Sequence, residues 1–251
     1  MSSADKPIIV IAGVGAGFGT GGSVAREFGS AGYRVALLAR TADAVNQLAN
    51  KLTQDNIEAK AFPVAAYDHQ TLHAAFASIR TAWPNVPIRV AVWNAGDAVW
   101  KPFLDISPEE VKKGTDSTIG AFAFSREAIL AFKDLELDSV GKRGALIFTS
   151  ATSALRGNKT TSVFSASKFA LRSLSQSLAK EFGKQNIHVS TVIIDGGILT
   201  DRSAGRGEEY AKNDDVRLNP DSIAKSYFYL ANQDRSAWTW EIDLRPAHET
   251  W

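Results

Sequence analysis

Short runs of aliphatic and β-branched residues alternate along the chain with longer stretches in which apolar positions recur at helical spacing. The short runs predict strands over residues 8–12, 34–39, 59–64, 88–93, 145–149, 189–194 and 238–244. The stretches between them predict helices, among them 19–31, 42–52 and 162–182. Apolar strands separated by amphipathic helices are typical of a parallel sheet covered on both faces. The pattern therefore predicts an α/β fold with a doubly wound parallel sheet.

Two helix starts carry local signals. Ser107 precedes Pro108, and Glu110 follows three positions after Ser107, which is the pattern of a capping box with proline in the first turn. Asn219, followed by proline, predicts the start of the last helix in a similar way. No internal repeat or linker-like change in composition interrupts the alternation. We therefore expect residues 1–251 to form one domain.

Composition narrows the function classes. The 251 residues include 28 basic and 27 acidic side chains, a net charge of +1 that offers no electrostatic basis for binding nucleic acid or a membrane surface. The absence of cysteine excludes disulfides, thiolate nucleophiles and cysteine-ligated metals. No segment has the pattern of a signal peptide or a membrane span. We expect a cytoplasmic protein that acts on a small molecule.

Glycines are concentrated where the first strand passes into the first helix. Gly13, Gly15, Gly17 and Gly19 alternate with other residues, and Phe18 lies among them. Glycines at such a junction permit a tight turn and let the backbone approach a pyrophosphate, which then meets the free N–H groups at the helix N-terminus. A flexible turn is the alternative, but this position favours a dinucleotide site.

Arg40 follows the second strand, where the adenine ribose of a dinucleotide would lie. An acidic residue at this place accepts a hydrogen bond from the 2′-hydroxyl of NAD, whereas an arginine pairs with the 2′-phosphate of NADP. Arg40 therefore favours NADP(H) over NAD(H). The alternative is that it solvates a loop near Asp43.

Three further segments complete a resemblance. Asn94-Ala95-Gly96 follows the fourth strand, Phe164 and Lys168 lie four positions apart on a long helix, and 195–200 follows the sixth strand. With the glycine spacing, these segments resemble the short-chain dehydrogenase/reductase family along nearly the whole chain. The resemblance implies a single-domain Rossmann-type fold, hydride transfer between a nicotinamide and a substrate carbon, and a homodimer or homotetramer. It also implies cofactor contacts at Ala66, Asn94, Ala95, Gly96, Lys168, Ile198 and Thr200.

The family's catalytic side chains are mostly replaced. Family members use a tyrosine as proton donor, a lysine that lowers the tyrosine pKa, a serine that binds the carbonyl oxygen, and an asparagine that supports a water relay. At the matching positions this chain has Phe164, Lys168, Ala151 and Ser117. Hydride delivery to a ketone makes an alkoxide, which is costly without a donor or an oxyanion stabiliser.

Several chemical outcomes stay open. In the first, the hydride acceptor is an iminium ion or a conjugated system that needs no tyrosine as proton donor. In the second, a residue at another position supplies the proton. Asp195, where the family has proline, is the candidate for a relocated acid, and its alternative role is to cap the following loop. Ser150 and Thr152 flank Ala151 and carry hydroxyls. A non-catalytic sensor or assembly protein, and a non-redox isomerase or cyclase, are the alternatives from other classes.

The substrate side of the site is predicted from aromatic and polar residues near these segments. Trp100, Phe164, Ser153 and Tyr210 are the candidates, and residues 200–218, with Arg202 and Arg206 among them, are expected to form a lid. His69 and His73 lie one helical turn apart, but without a third ligand in view we interpret them as surface residues and predict no metal site.

Overall fold

The computed structural model describes residues 6–15, 17–200, 203, 205 and 207–250. The strands are β1 (Ile8–Ala12), β2 (Arg34–Ala39), β3 (Ala59–Pro63), β4 (Ile88–Trp93), β5 (Gly144–Ala151), β6 (Ile187–Ile194) and β7 (Glu241–Leu244). The helices are α1 (Thr20–Ser30), α2 (Ala42–Gln54), α3 (His69–Ala82), α4 (Pro108–Phe132), α5 (Ser162–Phe182), α6 (Glu208–Lys212) and α7 (Pro220–Asn232). Short 3-10 helices occupy Phe103–Asp105, Thr152–Ala154 and Gly183–Gln185.

The sheet confirms the predicted doubly wound arrangement. Its seven strands lie in the order β3-β2-β1-β4-β5-β6-β7, and every pair is parallel. The strand order reverses direction between β1 and β4. In open parallel sheets a ligand crevice forms at such a switch point, outside the carboxyl ends of the strands.

Each face of the sheet buries its own hydrophobic layer. One layer packs α1, α2 and α7 on the sheet through residues such as Phe28, Leu48 and Tyr227. The other packs α3, α4 and α5 through residues such as Phe76 and Phe124. Strands β1 and β2 carry apolar side chains on both faces along nearly their whole length because both faces are buried, which agrees with the pattern that predicted them.

The helix starts follow their local signals. The Ser107 hydroxyl accepts from the Glu110 N–H at 3.3 Å, and the Ser107 N–H donates to the Glu110 carboxylate at 3.0 Å, which completes the capping box. The Asn219 side chain accepts from the Asp221 N–H at the start of α7. None of the helices in the described ranges is long and apolar enough to cross a lipid bilayer.

The last strand was predicted too long. The expected start at residue 238 is wrong, because β7 begins at Glu241, where it pairs with Thr191 of β6. The three residues before it are aromatic or β-branched, which explains the prediction from propensity alone. Pairing with a neighbouring strand, not propensity, decides where the ladder begins.

Gly120 lets α4 approach the sheet closely. A Cβ at this position would lie 2.7 Å from the Tyr67 carbonyl oxygen and 2.9 Å from the Trp93 ring. Those distances are shorter than normal contacts, and one of the two partners is backbone. Gly120 therefore sets how near α4 lies to the loop that follows β3.

We expect Gly120→Ala to lower the free energy of unfolding by about 2 kcal/mol, although alanine is the better helix former, because the added methyl group collides with backbone. Chemical denaturation measures the change. Gly183→Ala is the matched control, since a Cβ there meets nothing within 4 Å and its backbone is already helical. Equal effects of the two substitutions would contradict the packing argument.

Candidate active site

A cavity lined by described residues lies at the carboxyl ends of β1, β4, β5 and β6, beside the switch point. This main cleft has a volume of about 620 Å³. Its walls include the glycine loop, the segment after β4, the end of β5, one face of α5 and the segment after β6. The four segments on which the family resemblance rests therefore lie around one cleft, because parallel strands end at the same edge of the sheet.

The glycine loop is held against the segment after β4. Gly13 has φ +89°, and a Cβ there would collide with the Ala95 backbone nitrogen. The Asn94 side-chain amide donates to the Gly13 carbonyl at 2.6 Å, and the Gly13 N–H donates to the Leu38 carbonyl at 2.9 Å. Only glycine fits this combination of left-handed backbone and close approach.

The N-terminus of α1 opens into the main cleft. Its N-cap is Gly19, with φ +146°, and among the described residues no side chain caps it and no acidic residue lies in its first turn. Thr20 lines the cleft, and its buried hydroxyl has no hydrogen-bond partner in the described chain. The first turn therefore keeps N–H groups available for an anion.

The predicted cofactor residues divide into three groups. Those that line the main cleft are Gly13, Gly15, Phe18, Gly19, Asn94, Gly96, Lys168, Ile198 and Thr200. Arg40 and Ala66 line an adjoining side cavity of about 250 Å³, which also includes Gly96 and Asp97. Gly17 and Ala95 lie behind the walls: a Cβ on Gly17 would contact Leu48, and Ala95 is buried beneath Gly13.

Lys168 lies half-buried on the wall formed by α5. Its ammonium donates to the Thr149 carbonyl at 3.1 Å and lies 5.6 Å from the centre of the Phe164 ring. Loss of hydration lowers the pKa of Lys168 to about 8. Ala151 borders the same space at the end of β5. The positions matching the family's tyrosine, lysine and serine thus converge here, and two of them hold groups that cannot donate a proton.

Ser117, at the position of the family's asparagine, lines the side cavity and is not among the residues of the main cleft. A Cβ on Gly96 would lie 4.0 Å from the Ser117 hydroxyl and 3.6 Å from the Lys168 ammonium. Ser117 and Lys168 therefore approach each other across Gly96.

Asp195 lines the main cleft but is engaged elsewhere. Its carboxylate Oδ2 lies 3.4 Å from Nη2 of Arg245, and its N–H donates to the Leu244 carbonyl at 2.8 Å. The alternative of a loop cap is wrong for this oxygen, which accepts no hydrogen bond from any described residue. The ion pair instead joins the end of β6 to the segment after β7, and a donor role for Asp195 stays a prediction.

The predicted substrate residues are only partly brought together. Trp100 and Phe164 line the main cleft and meet edge-to-face with ring centres 6.0 Å apart, and Ser153 lies on the same wall. Tyr210 lies in α6 and is not among the residues on the cleft wall. Of the predicted lid, Asp201, Arg202, Ala204 and Arg206 lie outside the described residues, so the lid stays a prediction.

Ser150 and Thr152 carry the unused hydroxyls of this wall. Both residues line the main cleft beside Ala151, and both hydroxyls are buried without a hydrogen-bond partner in the described chain. The neighbouring Thr149 hydroxyl, by contrast, is bonded to the Tyr227 phenol at 2.7 Å on the opposite face of the sheet. Because consecutive side chains of a strand point to opposite faces of the sheet, the Ser150 and Thr149 hydroxyls lie on different faces.

Sequence reasoning missed two residues of the side cavity. Asp97 binds Arg40 through both carboxylate oxygens, at 3.0 and 3.3 Å, so Arg40 pairs with a residue that the sequence analysis did not single out. Tyr67 lies beneath the guanidinium, with 5.6 Å from its ring centre to Arg40 Cζ. The only available signal was the position of Asp97 directly after Asn94-Ala95-Gly96, because a pairing across 57 positions leaves no local pattern.

The histidines of α3 are surface residues, as interpreted. His69 and His73 are exposed, with ring centres 6.3 Å apart, and His73 Nδ1 lies 3.2 Å from the Glu127 carboxylate. Within the described ranges no three metal-binding side chains of the His, Cys, Asp or Glu type come together.

A parallel sheet with a glycine loop at its switch point is the architecture of Rossmann-type nucleotide-binding proteins. The sequence profile of the short chain dehydrogenase family matches residues 7–211. The chain therefore belongs to the short-chain dehydrogenase family of oxidoreductases.

Two related proteins align with this chain over most of its length. An uncharacterized oxidoreductase of Staphylococcus aureus strain N315 is 27% identical over 242 residues, covering 96% of this chain and 97% of that protein. The trihydroxynaphthalene reductase of Pestalotiopsis fici is 28% identical over 240 residues, covering 88% of this chain and 82% of the relative.

Solved structures share the fold. A short-chain dehydrogenase from Rhodopseudomonas palustris superposes with a TM-score of 0.77 at 25% identity, covering 96% of this chain and 98% of the other. A variant of actinorhodin polyketide ketoreductase, solved with NADPH, gives a TM-score of 0.84 at 19% identity and covers 100% of both chains. At that identity the likeness concerns the fold alone.

The pKa of Lys168 makes stability depend on pH. Because the folded pKa of about 8 lies below the ordinary value of 10.5, the unfolded chain binds more protons between these values. The free energy of unfolding of the native protein should therefore rise from pH 8 to pH 10.5 relative to Lys168→Met, by up to about 3 kcal/mol. Urea denaturation at several pH values measures this difference, and a difference that does not change with pH would contradict the desolvated ammonium.

Proposed function

We propose that this protein binds NADP(H) and transfers a hydride to or from an acceptor that needs no tyrosine proton donor, such as an iminium ion or a conjugated system. The observation that carries the proposal is the intact glycine-lined cleft facing a wall where, of the family's four catalytic side chains, Lys168 alone is retained.

The described residues fit a dinucleotide. Gly13 and Gly19 line the main cleft without side chains that would keep a ligand from their backbone, and the first turn of α1 offers uncapped N–H groups for a pyrophosphate. The unpartnered Thr20 hydroxyl supplies one more donor beside them. At the far end of the main cleft, the Lys168 ammonium is positioned for ribose hydroxyls.

The choice of NADP(H) over NAD(H) rests on Arg40. The guanidinium is half exposed on the wall of the side cavity. Arg40 stands where an NAD-binding protein has an acidic residue that accepts a hydrogen bond from the 2′-hydroxyl. A planar guanidinium matches a phosphate through paired N–H donors. Solved relatives of the fold, among them a metagenomic short-chain oxidoreductase, carry NADP.

The wall around Phe164 determines which acceptors are suitable. A bound nicotinamide would supply or take up the hydride. Phe164 and Ala151 cannot donate a proton or hold an oxyanion, whereas hydride addition to an iminium carbon gives a neutral amine and needs neither. The Trp100 and Phe164 rings provide an apolar surface for such a substrate. If negative charge does develop, Ser150 and Thr152 are the hydroxyls on this wall able to meet it.

The same loss of donors favours a second candidate function. A protein that binds NADP(H) without hydride transfer, as a sensor or assembly partner, needs the glycine loop and Lys168 but not the missing hydroxyls. It differs from the first proposal in turnover alone, because both require binding.

We extend the proposal to a homo-oligomer. Exposed apolar side chains follow the outer faces of α4 and α5, including Ile119, Phe122 and Phe169, which are 51%, 56% and 45% exposed. Exposed large apolar side chains on two neighbouring helices are typical of a subunit interface.

Purified protein should bind NADPH more tightly than NADH in isothermal titration calorimetry. Arg40→Ala should weaken NADPH binding by about 30-fold, the cost of one charge-assisted phosphate contact, and leave NADH nearly unchanged. Lys51→Ala is the control, because it removes an exposed cation that lines neither cavity and should leave both affinities nearly unchanged.

Turnover distinguishes the two candidate functions. With NADPH bound, absorbance at the nicotinamide band should fall in the presence of cyclic imines or enones and stay constant with simple ketones. Binding without any oxidation across that panel would support the non-catalytic candidate. Absence of binding to either nucleotide would overturn both.

Restoring one catalytic group should not restore ketone reduction. Phe164→Tyr supplies the acid but leaves the oxygen unheld at Ala151, so we expect little activity on ketones. Adding Ala151→Ser should raise that activity by about 100-fold over the single variant, the usual contribution of one oxyanion donor. Initial rates with NADPH measure it, and vigorous ketone reduction by Phe164→Tyr alone would contradict the role given to the missing serine.

A further inference from the structure

One ion pair separates the two cavities of the site. Arg40 Nη2 lies 3.0 Å from Asp97 Oδ1 and Arg40 Nη1 lies 3.3 Å from Asp97 Oδ2, so the carboxylate occupies both ends of the guanidinium fork. Asp97 lines the main cleft and the side cavity, whereas Arg40 lines the side cavity. A dinucleotide that extends from one cavity into the other must pass this pair.

The guanidinium is held in place from a second direction. Tyr67 lies beneath it, 5.6 Å from the ring centre to Arg40 Cζ, and the Tyr67 ring packs edge-to-face on the buried Trp93 with centres 5.2 Å apart. The Tyr67 phenol lies 3.4 Å from the Leu38 carbonyl. Arg40 is therefore supported by a ring that cannot easily move, while its hydrogen-bonding edge is turned to Asp97.

We propose that Asp97 is a specificity-determining residue: its carboxylate occupies the Arg40 donors that the 2′-phosphate of NADP takes over, so exchange of carboxylate for phosphate sets the affinity for NADP(H) relative to NAD(H). The inference rests on the proposed binding of NADP(H). Carboxylate and phosphate compete directly, because each accepts the same pair of N–H donors from a guanidinium.

This competition should affect the affinities for NADP(H) and NAD(H) differently. The 2′-phosphate can form paired hydrogen bonds with Nη1 and Nη2 of Arg40 only after Asp97 has released these two atoms, and the released carboxylate then repels the phosphate nearby. NAD(H) carries a neutral 2′-hydroxyl, which has no need of the guanidinium, so the Arg40–Asp97 pair can persist when it binds. Asp97 therefore lowers the preference for NADP(H) below what Arg40 alone would confer.

Asp97→Asn tests the inference, since it keeps the size of the side chain and removes its charge. Calorimetry should show NADPH affinity rising about tenfold, or about 1.4 kcal/mol, while NADH affinity changes by less than about threefold. The matched control is Asp55→Asn, which removes an exposed carboxylate that lines neither cavity. It should shift both nucleotides equally and slightly.

A double-mutant cycle isolates the pair. In an Arg40→Ala background, Asp97→Asn should no longer favour NADPH, because the donors for which carboxylate and phosphate compete are gone. A persistent tenfold gain in that background, or an equal gain for NADPH and NADH in the single variant, would overturn the proposal. A fall in NADPH affinity in Asp97→Asn would overturn it too, since Asp97 would then orient Arg40 for the phosphate.

These outcomes differ from failure of the proposed function. If the native protein and Asp97→Asn both fail to bind NADPH and NADH, nucleotide binding itself is wrong and the inference falls with it. If the native protein binds NADPH and the variant keeps the native ratio of affinities, the proposed function stands and the role of Asp97 alone is wrong.

Discussion

The close contact between the backbone of Gly13 and that of Ala95 is the constraint on which the site depends. It brings the glycine loop against the segment after β4, and two hydrogen bonds, from Asn94 to Gly13 and from Gly13 to Leu38, fasten the ends of β1, β2 and β4 together. A side chain at Gly13 would separate these segments. The main cleft, the free N-terminus of α1 and the Arg40–Asp97 pair all lie along this junction.

The cleft combines a retained binding surface with an altered reactive wall. Lys168 is poorly hydrated and beside an aromatic ring, whereas in the family the tyrosine occupies that ring's position. If the cleft binds NADP(H) as proposed, Lys168 can hold ribose hydroxyls without a phenol beside it to activate. Nucleotide binding and proton transfer would then depend on different residues of one cleft.

Local interactions were the most predictable from sequence. The capping box of Ser107 and Glu110 joins residues three positions apart, and the strands were visible because burial on both faces demands continuous apolar runs. The start of β7 was not predictable, because its pairing with Thr191 depends on a distant strand. Asp195 was predicted as an acid or a loop cap, and its actual partner, Arg245, comes from a segment that only the sheet brings near.

The sequence by itself determined the fold class, the glycine loop and the family resemblance, because hydrophobic period, backbone freedom and motif spacing are all recorded locally. Tertiary structure alone decided the partners of the charged groups. Arg40 and Asp97 lie 57 positions apart and meet because β2 and β4 both flank β1 and end at the same edge of the sheet. Coulomb attraction depends on distance in space, and the folded sheet sets that distance.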